Sequence, residues 1–170
     1  MQAIKELIEK SKGKVIETAS DSLQSFKITK AYSETEIQDF EIKYDIKLPS
    51  VYRQFLLEIG ACEIYSEANS HRSIEFHKLE EIYENYSACF EDPDEWLFKK
   101  YLPIGSDNGL QESFGFSFYF SKAEQFFVLF HEYYLEELEE ENDPEFPAYL
   151  CSFENYLDEI VTNNGEMQPH

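Results

Sequence analysis

Four histidines, three cysteines and 35 acidic side chains are the residues of this chain whose types could carry chemistry. His71, His77, His131 and His170 fall in no HExxH or other ligand spacing, so no zinc-binding helix is implied. His131 follows the apolar run Phe126 to Phe130 and suits a structural place at the end of a strand. Cys62, Cys89 and Cys151 form neither a CxxC nor a Cys/His pair, which points to buried thiols rather than a disulfide framework or a zinc site. No Ser or Cys sits in a nucleophile elbow, and the six glycines build no phosphate-cradling loop. Carboxylates are dense enough that some must neighbour each other by chance, so density alone does not argue for general acid–base work. The run Glu139 to Glu145 lacks the spacing of an EF-hand and reads as a solvated loop. No catalysis, metal or cofactor is expected.

The acids are unevenly placed, and that placement bounds the partners. All 14 Lys and Arg residues lie at or before Lys122; the last 48 residues hold 13 acids and no base, within a net charge of -21. Such a field repels phosphate backbones and anionic membranes and attracts basic proteins, while also serving solubility. Direct nucleic-acid binding and membrane binding are therefore not expected. No apolar run reaches the roughly 18 residues that a bilayer span needs, and Met1 to Glu6 lacks the apolar core of a signal peptide. A cytoplasmic location is the expectation. With 42% hydrophobic and 16% aromatic residues the chain can bury a core, and its length predicts one domain over residues 1–170.

The elements that must position these residues follow from the apolar spacing. Residues 2–11 predict a first helix with Ile4, Leu7 and Ile8 inward, ended by Gly13. Residues 14–31 read as a loop carrying a short strand around Phe26 and Ile28. Ser33-Glu34-Thr35-Glu36 is a capping box and opens a second helix with Ile37, Phe40 and Tyr44 inward. A short link then leads to the sharpest local signal, Leu48 to Gly60. Pro49 is placed as the first helical residue, Tyr52, Phe55, Leu56 and Ile59 share a stripe, and Gly60 caps. Beyond it, residues 62–65 and 73–76 alternate as a hairpin, and Leu79 to Phe90 returns to helical spacing, with Trp96, Leu97 and Phe98 as core contacts. Residues 101–104 predict a strand ended by a turn over Gly105 to Gly109. Phe114, Phe116, Phe118 and Phe120 share one strand face, and residues 126–130 form its hairpin partner. Ser152 caps a last helix carrying Phe153, Tyr156, Leu157 and Ile160, and residues 162–170 are read as a frayed tail.

This order of pieces resembles the SUKH superfamily, the group of the yeast Smi/Knr cell-wall regulator and many bacterial immunity proteins. The resemblance spans residues 33–161. Leu48, Pro49, Tyr52, Phe55 and Gly60 carry most of it, with Gly105, Asp107 and Gly109 completing the fold signature. It implies an α+β fold, an antiparallel sheet with helices packed mainly on one side. It also implies a non-catalytic immunity protein that binds and neutralises a cognate polymorphic or contact-delivered toxin, frequently a nuclease. The alternative is a scaffold or regulatory module like the yeast relative. A nuclease presents a basic groove to phosphates, so carboxylates steer an inhibitor and aromatic anchors hold it. The candidate contact residues are Glu132, Tyr133, Tyr134, Glu136, Glu137, Glu139, Glu140, Glu141 and Asp143, although the two tyrosines suit core packing equally well. The oligomeric state is left open.

Overall fold

Leu7 and Ile8 of the first helix, α1 (Gln2–Ser11), pack against the core with the buried Ile4, and the helix ends where Lys12 and then Gly13 turn left-handed. The structure, a computed structural model, describes residues 1–18, 23–67, 72–88, 101–109, 112–117, 125–129 and 148–165. After α1 come β1 (Val15–Glu17) and β2 (Leu23–Lys30), an antiparallel hairpin with Ile16 opposite Gln24. The eight-residue β2 replaces the loop and short strand read from the sequence. Of β2 only Gln24 and Phe26 are buried, while Leu23 and Ile28 stand about half exposed, so the alternation that marks a strand is faint.

The capping box is formed as expected at α2 (Glu34–Tyr44). The Ser33 hydroxyl accepts the Glu36 N–H at 3.3 Å, and the Glu36 carboxylate accepts the Ser33 N–H at 2.9 Å. α3 (Ser50–Glu58) starts one residue later than the spacing suggests, with Pro49 at the N-cap rather than in the first turn. Gly60 ends it at φ 91, and a Cβ there would lie 2.1 Å from the Lys30 carbonyl oxygen. Only glycine meets both demands, the left-handed backbone and the close approach of β2.

The remaining elements are β3 (Ala61–Glu67), β4 (Ile74–Phe76), α4 (Leu79–Ala88), β5 (Tyr101–Asp107), β6 (Glu112–Ser117), β7 (Gln125–Leu129), β8 (Ala148–Cys151) and α5 (Phe153–Thr162). All eight described strands form one sheet in chain order, each antiparallel to the next. The hairpins β3–β4 and β6–β7 are those expected from the sequence. β8 was not foreseen. β5 also runs on through Gly105 to Asp107, so Gly105 is a strand residue paired with Phe76 and Phe114 rather than the start of a turn. The Phe114 ring occupies the space a Cβ on Gly105 would need, within 2.4 Å.

The register assigns the two faces. Cys62, Ile64, Ile74, Phe76, Phe114 and Phe116 are buried beneath the helical layer, whereas Lys27, Glu63, Glu75, Ser106 and Ser113 form a polar row across the other face. The core is an aromatic cluster between layers. Phe55 meets Phe76 at 4.7 Å and Phe153 at 5.4 Å between ring centroids, Tyr52 meets Phe116 at 5.7 Å, and Phe114 meets Tyr156 at 5.0 Å. This is the α+β arrangement expected, with helices on one side of an antiparallel sheet. At the C-terminal end, Asn163 to Gly165 turn back so that Gly165 lies against Tyr65 and its carbonyl accepts from Arg72 at 3.1 Å. Residues 166–170, with Phe118, Phe120 and the stretch 89–100 that holds Trp96, Leu97 and Phe98, lie outside the described residues.

Candidate functional site

Two polar junctions fix the helical layer. Glu41 on α2 accepts the Leu48 N–H at 2.8 Å and an Arg53 guanidinium N–H at 2.6 Å, and Arg53 also pairs with Glu34. The buried Leu48 and the α3 helix are thereby held to α2, and the hydrogen bond to Glu41 keeps the Arg53 charge firmly in place. Arg53 lies off the apolar stripe of α3, so the stripe itself gives no sign of this junction. The available signal was Glu34 and Glu41, seven residues apart on one face of α2.

The second junction gathers the end of β2 with two helix starts. Lys30 bridges Glu80 at 2.9 Å and Glu36 at 3.5 Å. The Tyr32 hydroxyl donates to Glu80 at 2.8 Å and accepts the Leu79 N–H at 2.7 Å, satisfying a donor at the start of α4. Both are structural fasteners, since their charges are spent on each other.

The turn after β5 is built from two members of the fold signature. Buried Asp107 accepts the Gly109 N–H at 2.9 Å, an Asx-type turn, and Asn108 ties it to Ser73 through its backbone and its side chain, both at 2.9 Å. The other signature residues, Leu48, Pro49, Tyr52, Phe55, Gly60 and Gly105, are all buried and serve packing or backbone geometry.

Among the described residues no group of three His, Cys, Asp or Glu is placed to hold a metal ion. Burial drives the Cys62 thiol far above its ordinary range, so it stays a protonated core side chain. His77, half-buried after β4, is held neutral, its pKa lowered by burial to about 4 against a weaker upward pull from Glu81. Among the described residues the buried Tyr52 hydroxyl has no hydrogen-bond partner.

The contact residues expected from the sequence, Glu132, Tyr133, Tyr134, Glu136, Glu137, Glu139, Glu140, Glu141 and Asp143, lie outside the described residues, in the connection from β7 to β8. His71, His131, His170 and Cys89 also fall outside them. Sheet order nonetheless bears on the charge: because strand follows strand in sequence, the base-free part of the chain supplies the last strands, and Lys27 and Lys30 belong to the second. Among the described residues no helix is long and apolar enough to cross a membrane.

Helices fastened to one face of an antiparallel meander, with signature residues spent on packing and turns, define an α+β domain. Compared with known families, residues 31–159 match the model of the SMI1 / KNR4 family (SUKH-1), and the chain belongs to that family. Comparison with curated proteins and with solved structures gives no match.

Proposed function

We propose that this chain is a cytoplasmic immunity protein that binds a cognate toxin, a basic nuclease domain, and neutralises it without catalysis. The observation that carries the proposal is the family match over 31–159, taken with the 48 C-terminal residues that hold 13 acids and no base. Bacterial proteins of this kind resemble antitoxins, and a carboxylate-rich surface suits a target whose groove is built for phosphates. Glu132, Glu136, Glu137, Glu139, Glu140, Glu141 and Asp143 supply steering charge in this proposal, and Tyr133 and Tyr134 supply the anchors. Co-expression with toxin genes encoded beside this one is the test. Restored growth with one of them is expected; no rescue, together with capture of many housekeeping proteins, would favour the scaffold reading instead.

A further inference from the structure

We infer that the turn over residues 163–165 is a latch that holds Tyr65 in a strained backbone conformation and couples the C-terminal end of α5 to the turn after β5. Strand β3 breaks its own alternation at the latch. Ser25 pairs with Ser66 and Lys27 with Glu63, so β3 sets two residues, Ile64 and Tyr65, against the single Phe26. Both side chains are consequently buried, although neighbours in a regular strand point to opposite faces. This is possible because Tyr65 lies at φ 53, a left-handed conformation that a bulky aromatic residue rarely adopts. Such strain persists only where the surroundings impose it.

Two contacts impose it. The Phe26 ring meets the Tyr65 ring edge-on at 4.8 Å, and the Gly165 backbone lies so close that a Cβ there would be 2.5 Å from Tyr65 Cγ. Gly165 is seated in turn by its own bonds: its N–H donates to the Ile160 carbonyl at 2.6 Å, and its carbonyl accepts from Arg72 at 3.1 Å. Arg72 carries the contact onward. Its stem lies under Gly109, where a Cβ would be 2.8 Å from Arg72 Cγ, and its carbonyl accepts the Glu67 N–H at 3.1 Å, two residues beyond Tyr65. Tyr65, Gly165, Arg72 and Gly109 thus form one chain of contacts from a strained strand to the turn that Asp107 closes. With the latch lifted, Tyr65 relaxes to an extended backbone. Regular alternation then turns its ring away from Phe26, and the pairing beyond it slips by one residue, which exchanges the faces of Ser66 and Glu67. The device is built into the fold and needs no partner.

Two full-length variants test this by residue-resolved NMR on isotope-labelled protein. Gly165→Val places a branched side chain at φ 84 and against the Tyr65 ring, so the turn cannot seat. Tyr65 should then lose its left-handed backbone shifts and its ring contact with Phe26, and the Glu67 amide should exchange about tenfold faster. Arg72→Met keeps the stem and removes the guanidinium, which leaves the turn's own sequence intact. Here the Gly165 amide should exchange faster and the Tyr65 shifts should move part of the way to those of Gly165→Val, a readout that remains if Gly165→Val does not fold. Left-handed Tyr65 shifts and unchanged Glu67 and Gly165 exchange in the variants that fold would overturn the inference, because β2 alone would then hold the bulge.

Discussion

The hydroxyl of Tyr52 offers a sharp test of how the core is held. The ring is wholly buried, 6.3 Å from Phe55, 5.7 Å from Phe116 and 6.1 Å from Phe153 between centroids. Among the described residues its oxygen has no hydrogen-bond partner, and burial pushes its pKa well above the ordinary tyrosine value. The neighbouring Tyr32 hydroxyl already donates to Glu80 and accepts from Leu79, so it has no proton left to offer. Leaving a buried hydroxyl unpaired costs about 1–3 kcal/mol. Tyr52→Phe removes that cost and keeps the ring; part of the gain is lost with the van der Waals contacts of the departing oxygen. The net expectation is a stabilisation of about 0.5–2 kcal/mol, or a melting temperature raised by about 1–8 °C for a chain of this size. Urea unfolding should show a higher midpoint with an unchanged slope. A loss of more than about 1 kcal/mol would refute the reasoning, since it would mean that the hydroxyl is bonded in the folded protein.

The neighbouring ring behaves oppositely. Phe55→Ala, at a fully buried position between α3, β4 and α5, should cost about 3–5 kcal/mol, and toxin binding should fall only as the folded fraction does; a variant that folds normally yet cannot bind would place the interface on this helix. Acid should weaken the fold through His77. The unfolded imidazole titrates near 6.5 and the folded one at about 4, so the unfolded chain binds more protons between these values. Stability is therefore full above pH of about 6.5 and falls as pH drops towards about 4, by at most about 3 kcal/mol. Urea midpoints measured across that window should decline in the wild type and decline less in His77→Gln; parallel curves would assign the acid sensitivity to the carboxylates instead.

Much of the architecture was legible because local and tertiary demands agree. At α2 the capping box and the apolar stripe point the same way, and at α5 Ser152 accepts the Asn155 N–H beneath a stripe of Phe153, Tyr156, Leu157 and Ile160 that is buried in full. Where the demands separate, the reading failed. β2 exposes Leu23 and Ile28, so its pattern resembles a loop. Gly105 looks like turn chemistry by composition, yet it is needed inside a strand because the Phe114 ring lies across it. β8 is four residues long and bounded by Pro147 and Ser152, too short for a period to show. Arg53 illustrates the limit for a polar junction, because its role depends on two carboxylates of another helix.

The central claim is that this chain neutralises a toxin by binding it, and one titration tests it most directly. The purified toxin domain encoded beside the gene is assayed for its own activity, as cleavage of nucleic acid, while the full chain is added in known amounts. The account predicts that activity falls in proportion to added chain and vanishes near one equivalent, because occupation of the toxin is the whole mechanism. Undiminished toxin activity at a large excess of folded chain would contradict it.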